Sequence, residues 1–403
     1  GGSHTIDVLA LTATGTFTTT STDIIKLSDT ANIAGAVKSG GSAGDAFTAD
    51  DLTLVNGASV SMTAAQHNGF GGTVTAAGTG VGGEQITLTT AGTVTGESVI
   101  ETYVLSGNSN VFTIGDAAQN VNTGTGTGNS IDVLALTATG TFTTDATDTI
   151  KLSDTANIAG VNSGGALTAT KLTLANGASV SMTAAQNNGF TGTVTAAGTG
   201  GSGEQITLTN AADSTALSGI ETYQLAAGTQ TITLADTAQN VTAHGTGGSG
   251  VVTIDTGTTL TSVTGTFDDN TGDDQIKVLL SHTTGVDISS LDMTDVNNVA
   301  LNTNAKGTMT IAQNNVINAA AGTNKVTLAD AGTVTANANV QEYVLFAGGG
   351  TTLTLSEAAQ SVTTSTGAGN DIIDVLAYTA TGTFNTEAGD TIKLSNSANI
   401  AGV

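Results

Sequence analysis

The stretch IDVLALTATGTF occupies residues 6–17, returns letter for letter at residues 131–142, and reads IDVLAYTATGTF at residues 373–384. A catalytic motif is needed once, whereas a structural unit is needed as often as the structure repeats. A second, shorter echo lies inside the stretch. Ile6-Asp7-Val8 is answered by Ile25-Lys26-Leu27, Ile131-Asp132-Val133 by Ile150-Lys151-Leu152, and Ile373-Asp374-Val375 by Ile392-Lys393-Leu394, at one constant offset. Between them, Ile254-Asp255 and Ile276-Lys277 show the same pattern at a slightly longer offset. Apolar and polar residues alternate through these pieces, which is the two-residue period of a β-strand. Strands that recur about every 20 residues and stack at about 4.8 Å form the coils of a parallel β-solenoid.

This reading gives the aspartate a place. Ile6 and Val8 point inward, Asp7 points outward, and Lys26 points outward beside it one coil later. The pattern predicts Asp–Lys rungs at Asp7 and Lys26, Asp132 and Lys151, Asp255 and Lys277, and Asp374 and Lys393. Half of the eight lysines sit in this slot, and the chain has no arginine. An exposed pair contributes about 0–1 kcal/mol, but opposite charges help to set which coil stacks on which.

A longer period encloses the short one. Ile100-Glu101-Thr102-Tyr103 returns as Ile220-Glu221-Thr222-Tyr223 and as Val340-Gln341-Glu342-Tyr343, so the tyrosines mark a repeat of about 120 residues. SVSMTAAQ begins at Ser59 and again at Ser179. The chain therefore reads as repeat one over 1–130, repeat two over 131–250, repeat three over 251–372 with a divergent first half, and the start of a fourth over 373–403. The stop inside the fourth copy leads us to expect a segment of a longer array. The clear length change, AGAVKSGGSAGDAFTADDL against AGVNSGGALTATKL, falls in a Gly/Ser-rich loop, where extra residues cost little closure entropy. A string of β-sandwich domains, each about one repeat long, would also fit the strand count and turn spacing. The nested short echo and the absence of proline favour the solenoid.

Composition limits the partners. With 33 acidic and eight basic residues the formal charge is −25. Such a surface repels nucleic acid and anionic lipid, because phosphate binding needs Lys or Arg to displace counterions, and it attracts divalent cations or basic partners. There is no cysteine, hence no disulfide framework and no thiolate metal site. No apolar run approaches the roughly 18 residues of a membrane span, so membrane insertion is not expected. The opening GGSHTIDV lacks the basic-then-apolar order of a signal peptide.

The turns carry a family likeness. TGAGNDIIDV from Thr366, EAGDTIKLS from Glu387 and DDNTGDDQIKV from Asp268 each read like half a turn of the glycine- and aspartate-rich calcium nonapeptide. With the threonine-rich strands around them, they resemble the β-solenoid repeats of bacterial surface-layer proteins and RTX-type giant adhesins. The likeness spans the chain in style, and only these turns carry the specific motif. Equivalent turns such as GTGTGNS and GTGGSG lack the aspartate. The resemblance implies export to the extracellular space or bacterial cell surface, calcium as cofactor, and a role as lattice, filament, stalk or adhesin. The acidic positions that would hold calcium are Asp268, Asp269, Asp273 and Asp274, the densest cluster, together with Asp371 and Asp390, which repeat the offset of the short echo and would face each other on successive turns. The competing reading is that Asp at a turn caps the bend by accepting hydrogen bonds from backbone.

Nothing in the sequence points to catalysis. The histidines at 4, 67, 244 and 282 share no repeat position, and copy two has Asn187 where copy one has His67. No nucleophile-elbow, zinc-protease or phosphate-loop motif occurs. Solenoids do host polysaccharide-cleaving enzymes, but the lack of arginine and the few aromatics argue against a sugar-cleaving site. Tyr103, Tyr223 and Tyr343 are either core residues or a row that stacks on a glycan. The expectation is a non-catalytic, self-assembling structural protein, with a calcium-stabilised adhesin that binds a cell-surface glycan as the alternative.

Overall fold

The computed structural model describes residues 2–76, 83–196, 203–243, 250–270, 275–320, 322–364 and 369–403. The chain is all-β, with parallel strands stacked about 20 residues apart in a β-solenoid of about 18 turns. It divides into two compact units, Gly1–Thr209 and Asn210–Val403. Parallel ladders exclude the sandwich alternative, whose sheets are antiparallel.

In the first unit each coil lends strands to parallel sheets. One sheet runs Ser59–Met62, Gln85–Leu88, Thr102–Leu105, Asn120–Asn122, Phe142–Thr143, and another runs Thr93–Thr95, Val111–Thr113, Ser130–Val133, Thr149–Leu152, Lys171–Leu174, Val194–Ala196. Sequence neighbours such as Thr102–Leu105 and Val111–Thr113 thus belong to one coil and to different sheets. The second unit repeats the plan, with Val286–Asp287, Lys306–Met309, Lys325–Leu328, Glu342–Val344, Ser361–Thr363 and Phe384–Asn385 in one sheet.

Alternation places the core. In Ile24–Leu27, Asp51–Leu54, Gln85–Leu88 and Thr149–Leu152 every second residue is buried, and Ile25, Leu27, Leu54, Ile86, Leu88, Ile150 and Leu152 have no exposed surface. β-Branched and leucine side chains on a pleated, half-buried surface suit this environment. Tyr103 lies against Phe112 with ring centroids 4.6 Å apart.

The short echo is the true register in three copies. Asp7 lies beside Lys26, Asp132 beside Lys151, and Asp374 beside Lys393. In the third repeat the expected rung is absent. Asp255 lies beside Leu279, and Lys277 lies between Thr253 and Asn298. Alternation fixes which face a side chain takes, but a slip of two positions leaves every face unchanged. Ile254 aligns with Val278, two positions beyond the Ile276 that the pattern suggests. The Asp255 carboxylate instead accepts the Gly257 N–H at 2.9 Å.

Candidate functional site

The residues that recur most faithfully outside the strands are glutamines, and they form two sets of buried clamps. Gln66, Gln186 and Gln313 lie in the short helices Ala64–Asn68, Ala184–Gly189 and Ile311–Asn314. Each helix opens with a reciprocal capping box. The N–H of Thr63, Thr183 or Thr310 donates to the glutamine Oε1 at 2.8–2.9 Å, and the threonine hydroxyl accepts the glutamine N–H. The freed Nε2 donates to an earlier coil: Gln66 to the Ile33 carbonyl at 2.8 Å, Gln186 to Ile158 at 2.8 Å, and Gln313 to Ile288 at 2.7 Å.

The second set is Gln119, Gln239 and Gln360, from the AAQ or TAQ pieces. Gln119 Nε2 donates to the carbonyls of Glu97 and Ile100, Gln239 to Leu217 and Ile220, and Gln360 to Asn337 and Val340, all at 2.8–3.0 Å. Their Oε1 atoms accept backbone N–H groups of their own turns, from Gly115, from Ala235 and Asp236, and from Ser356 and Glu357. All six glutamines are at most 2% exposed. A turn whose backbone would otherwise lie buried and unsatisfied is thereby paired.

The tyrosines complete the same turns. The hydroxyls of Tyr103, Tyr223 and Tyr343 accept the N–H of Glu97, Leu217 and Asn337 at 2.7–2.9 Å. One residue per repeat is thus held by its N–H on a tyrosine and by its C=O on a glutamine from the next coil. The rings have no exposed surface, which removes them as a glycan-stacking row. Burial pushes each phenol above its ordinary pKa, so the hydroxyls stay neutral. Asn314 Oδ1 accepts the Tyr343 hydroxyl at 3.0 Å, and His67 Nε2 takes the matching place 3.0 Å from Tyr103 Oη. Burial holds the His67 imidazole down at about 4.

Charge pairs lie along the coil faces. Lys26 Nζ donates to Asp7 at 2.6 Å, Lys151 to Asp132 at 2.6 Å, and Lys393 to Asp374 at 2.7 Å. The exposure differs from the expected solvated rung. The Asp7 side chain is 40% exposed, but Asp132 is 6% exposed and also accepts the Ser130 hydroxyl. A further pair, Lys325 with Glu342 at 2.6 Å, joins neighbouring coils at a shorter offset and falls outside the echo of Ile-Asp-Val as Ile-Lys-Leu.

The turn acids separate into two groups. Asp371 and Asp390 do stack on successive coils, and their oxygens accept backbone donors: the Thr351 N–H on Asp371, and the Asp371 and Glu387 N–H groups on Asp390, at 2.8–3.1 Å. Asn129 accepts from Asn110 N–H, and Asp148 from Asn129 N–H, in the same way. Asp23 accepts from Thr20 and His4, and these backbone donors hold it at about 2. These are coil-to-coil caps. By contrast, Asp268 and Asp269 meet Asp295, which the sequence did not single out, with one oxygen of each within 4.8 Å of the others. Burial and the neighbouring Asp269, Asp268 and Asp292 push Asp295 above its ordinary range. Three converging carboxylates suit a hard divalent cation, which takes six to eight oxygens when it is calcium. Asp273 and Asp274 lie outside the described residues.

Apolar side chains also reach the surface at one repeated corner. Leu9 is 57%, Leu134 48% and Leu376 41% exposed, all from the stretch IDVLA. In the first two copies a tight turn, in which the N–H of Leu11 or Leu136 donates to the carbonyl of Leu9 or Leu134, turns them outward. Among the described residues no helix is long and apolar enough to cross a membrane. Comparison with protein-family models, with curated proteins and with solved structures finds no match to this chain.

Proposed function

We propose that this chain is a non-catalytic structural repeat protein of the bacterial exterior, part of a surface layer, filament or adhesin stalk, that associates with copies of itself. One observation carries the reading. Of the polar side chains that recur at fixed repeat positions, the six glutamines and three tyrosines are buried and paired with backbone of their own or a neighbouring coil, and the recurring Asp–Lys rungs are paired with each other. Residues kept for chemistry would instead converge on a space open to substrate. The net charge of −25 leaves nucleic acid and anionic membranes as poor partners. The recurring corner leucines supply apolar contact for self-association. Electron microscopy of the purified chain tests this, with lattices or fibres expected, and Leu134→Asp expected to reduce them. Isolated particles at all concentrations, or turnover on a polysaccharide panel, would overturn it.

The Asp268, Asp269 and Asp295 cluster favours a second reading, in which calcium stiffens an adhesin segment. Calcium would relieve the repulsion among three carboxylates, and its binding to the folded chain alone would raise stability by mass action.

A further inference from the structure

Glu84 has no exposed surface, and neither of its carboxylate oxygens has a hydrogen-bond partner. Its own N–H donates to Glu101 Oε2 at 2.8 Å, so the Glu101 carboxyl reaches back from the following coil to Glu84. No lysine relieves the contact: the lysine–carboxylate pairs among the described residues lie at Asp7, Asp132, Glu342 and Asp374. Two ionised carboxyls held together, one of them out of water, are costly.

The third repeat fills the same slot without charge. Asn324 and Gln341 replace Glu84 and Glu101, and the Asn324 N–H donates to Gln341 Oε1 at 2.9 Å, the same bond as in repeat one. An amide is neutral and carries a donor. A carboxylic acid shares both properties, and a carboxylate has neither. The second repeat carries Glu204 and Glu221 at these places, with Glu204 again fully covered.

We propose that Glu84 and Glu101 share one proton across neighbouring coils, so that this rung of the first repeat is tightened by acid and loosened by alkali. The proton sits on a Glu84 oxygen and is donated to the Glu101 carboxylate, and no covalent bond changes. Burial and the contact with Glu101 raise Glu84 above its ordinary range. Against these, Glu84's own backbone and that of Gly57 in the preceding coil favour the ionised form, but burial is the largest effect; the following coil presents Asn120, whose N–H donates to the Glu101 carbonyl. A group with a raised folded pKa gives stability that is full below its unfolded value and is lost as pH rises through the folded one. The pair titrates as a unit.

The test is urea unfolding of the full chain, as wild type, Glu84→Gln and Glu101→Gln, from about pH 4 to about pH 8 at fixed ionic strength. A His67→Asn background removes the opposing slope of that imidazole. The unfolding constant of the wild type should rise by about tenfold or more, relative to Glu84→Gln, as pH passes through the raised pKa. The infrared carbonyl band of a protonated carboxyl should persist above the pH at which ordinary carboxyls ionise in the wild type and lose intensity in Glu84→Gln, the matching pair Glu204 and Glu221 of repeat two keeping its own share. Parallel pH profiles for wild type and variant, or no such band, would overturn the proposal. A gap closed by calcium and reopened by EDTA would also overturn it, because a cation would then bridge the pair. Should Glu84→Gln fail to fold, Glu101→Gln and the wild-type infrared band decide.

Discussion

Replacing Gln119 by leucine keeps the volume of the buried side chain and removes its hydrogen bonds. The Glu97 and Ile100 carbonyls lose their donor, and the Gly115 N–H loses its acceptor. A lost bond is worth about 1 kcal/mol net, and a buried group left unsatisfied costs about 1–3 kcal/mol. The Ile100 contact is fully buried, whereas the Glu97 and Gly115 contacts reach partial solvent and recover some hydration. The expected loss is therefore about 3–4 kcal/mol. Coils in a solenoid interact mainly with neighbours, so the damage should be local before it is global. Hydrogen exchange should show deprotection over residues 97–119 at denaturant concentrations where distant coils stay protected. Gln119→Glu sharpens the test: its carboxylate faces two carbonyls at neutral pH, and protonation restores a donor. Its deficit should shrink as pH falls, since a raised folded pKa gives stability in acid. A Gln119→Leu chain that loses under about 1 kcal/mol, with unchanged exchange over these residues, would refute the clamp as a source of stability.

Lys151→Met should cost about 1–3 kcal/mol because it strands the nearly buried Asp132 carboxylate, whereas Lys26→Met should cost under about 1 kcal/mol beside the exposed Asp7; chemical denaturation of both checks the order, and equal losses would contradict it. His67 has a folded pKa of about 4 against 6.5 for the free group, so its contribution is present above 6.5 and is lost as pH falls through about 4. His67→Asn, which installs the residue of the other two repeats, should flatten that part of the stability profile in thermal melts. Under the calcium reading, calcium should raise the melting temperature of the wild type and EDTA reverse it, and Asp295→Asn should abolish the response; an unchanged melt would leave these acids as ordinary surface charge.

The coil period was legible because it appears twice, as the in–out alternation of each strand and as the regular return of Ile-Asp-Val as Ile-Lys-Leu. Alternation has parity but no absolute phase, and for that reason the register of the third repeat is offset by two from the one the pattern suggests, and Asp255 lies beside Leu279 and not beside Lys277. The glutamines were visible as AAQ, but their acceptors are backbone carbonyls, which every residue carries and no sequence marks. Asp295 escaped notice because it comes from a coil after Asp268 and Asp269, with no glycine-rich turn around it. The tyrosines were ambiguous for a simpler reason: one tyrosine per repeat suits a core and a binding row equally well, and only the buried hydroxyl separates them.

A clamp whose partner is a main-chain carbonyl has an evolutionary consequence. A side chain that grips another side chain ties two codons together, so one cannot change or be copied without the other. Gln119, Gln239 and Gln360 grip Glu97, Leu217 and Asn337, three unrelated residues, equally well. A gene segment encoding one repeat can therefore be duplicated, or exchanged by unequal recombination, and meet a compatible neighbour wherever it lands. The divergence between Val251 and Asn315, with Gln239, Gln313 and Gln360 retained in and around it, is what such a grammar permits.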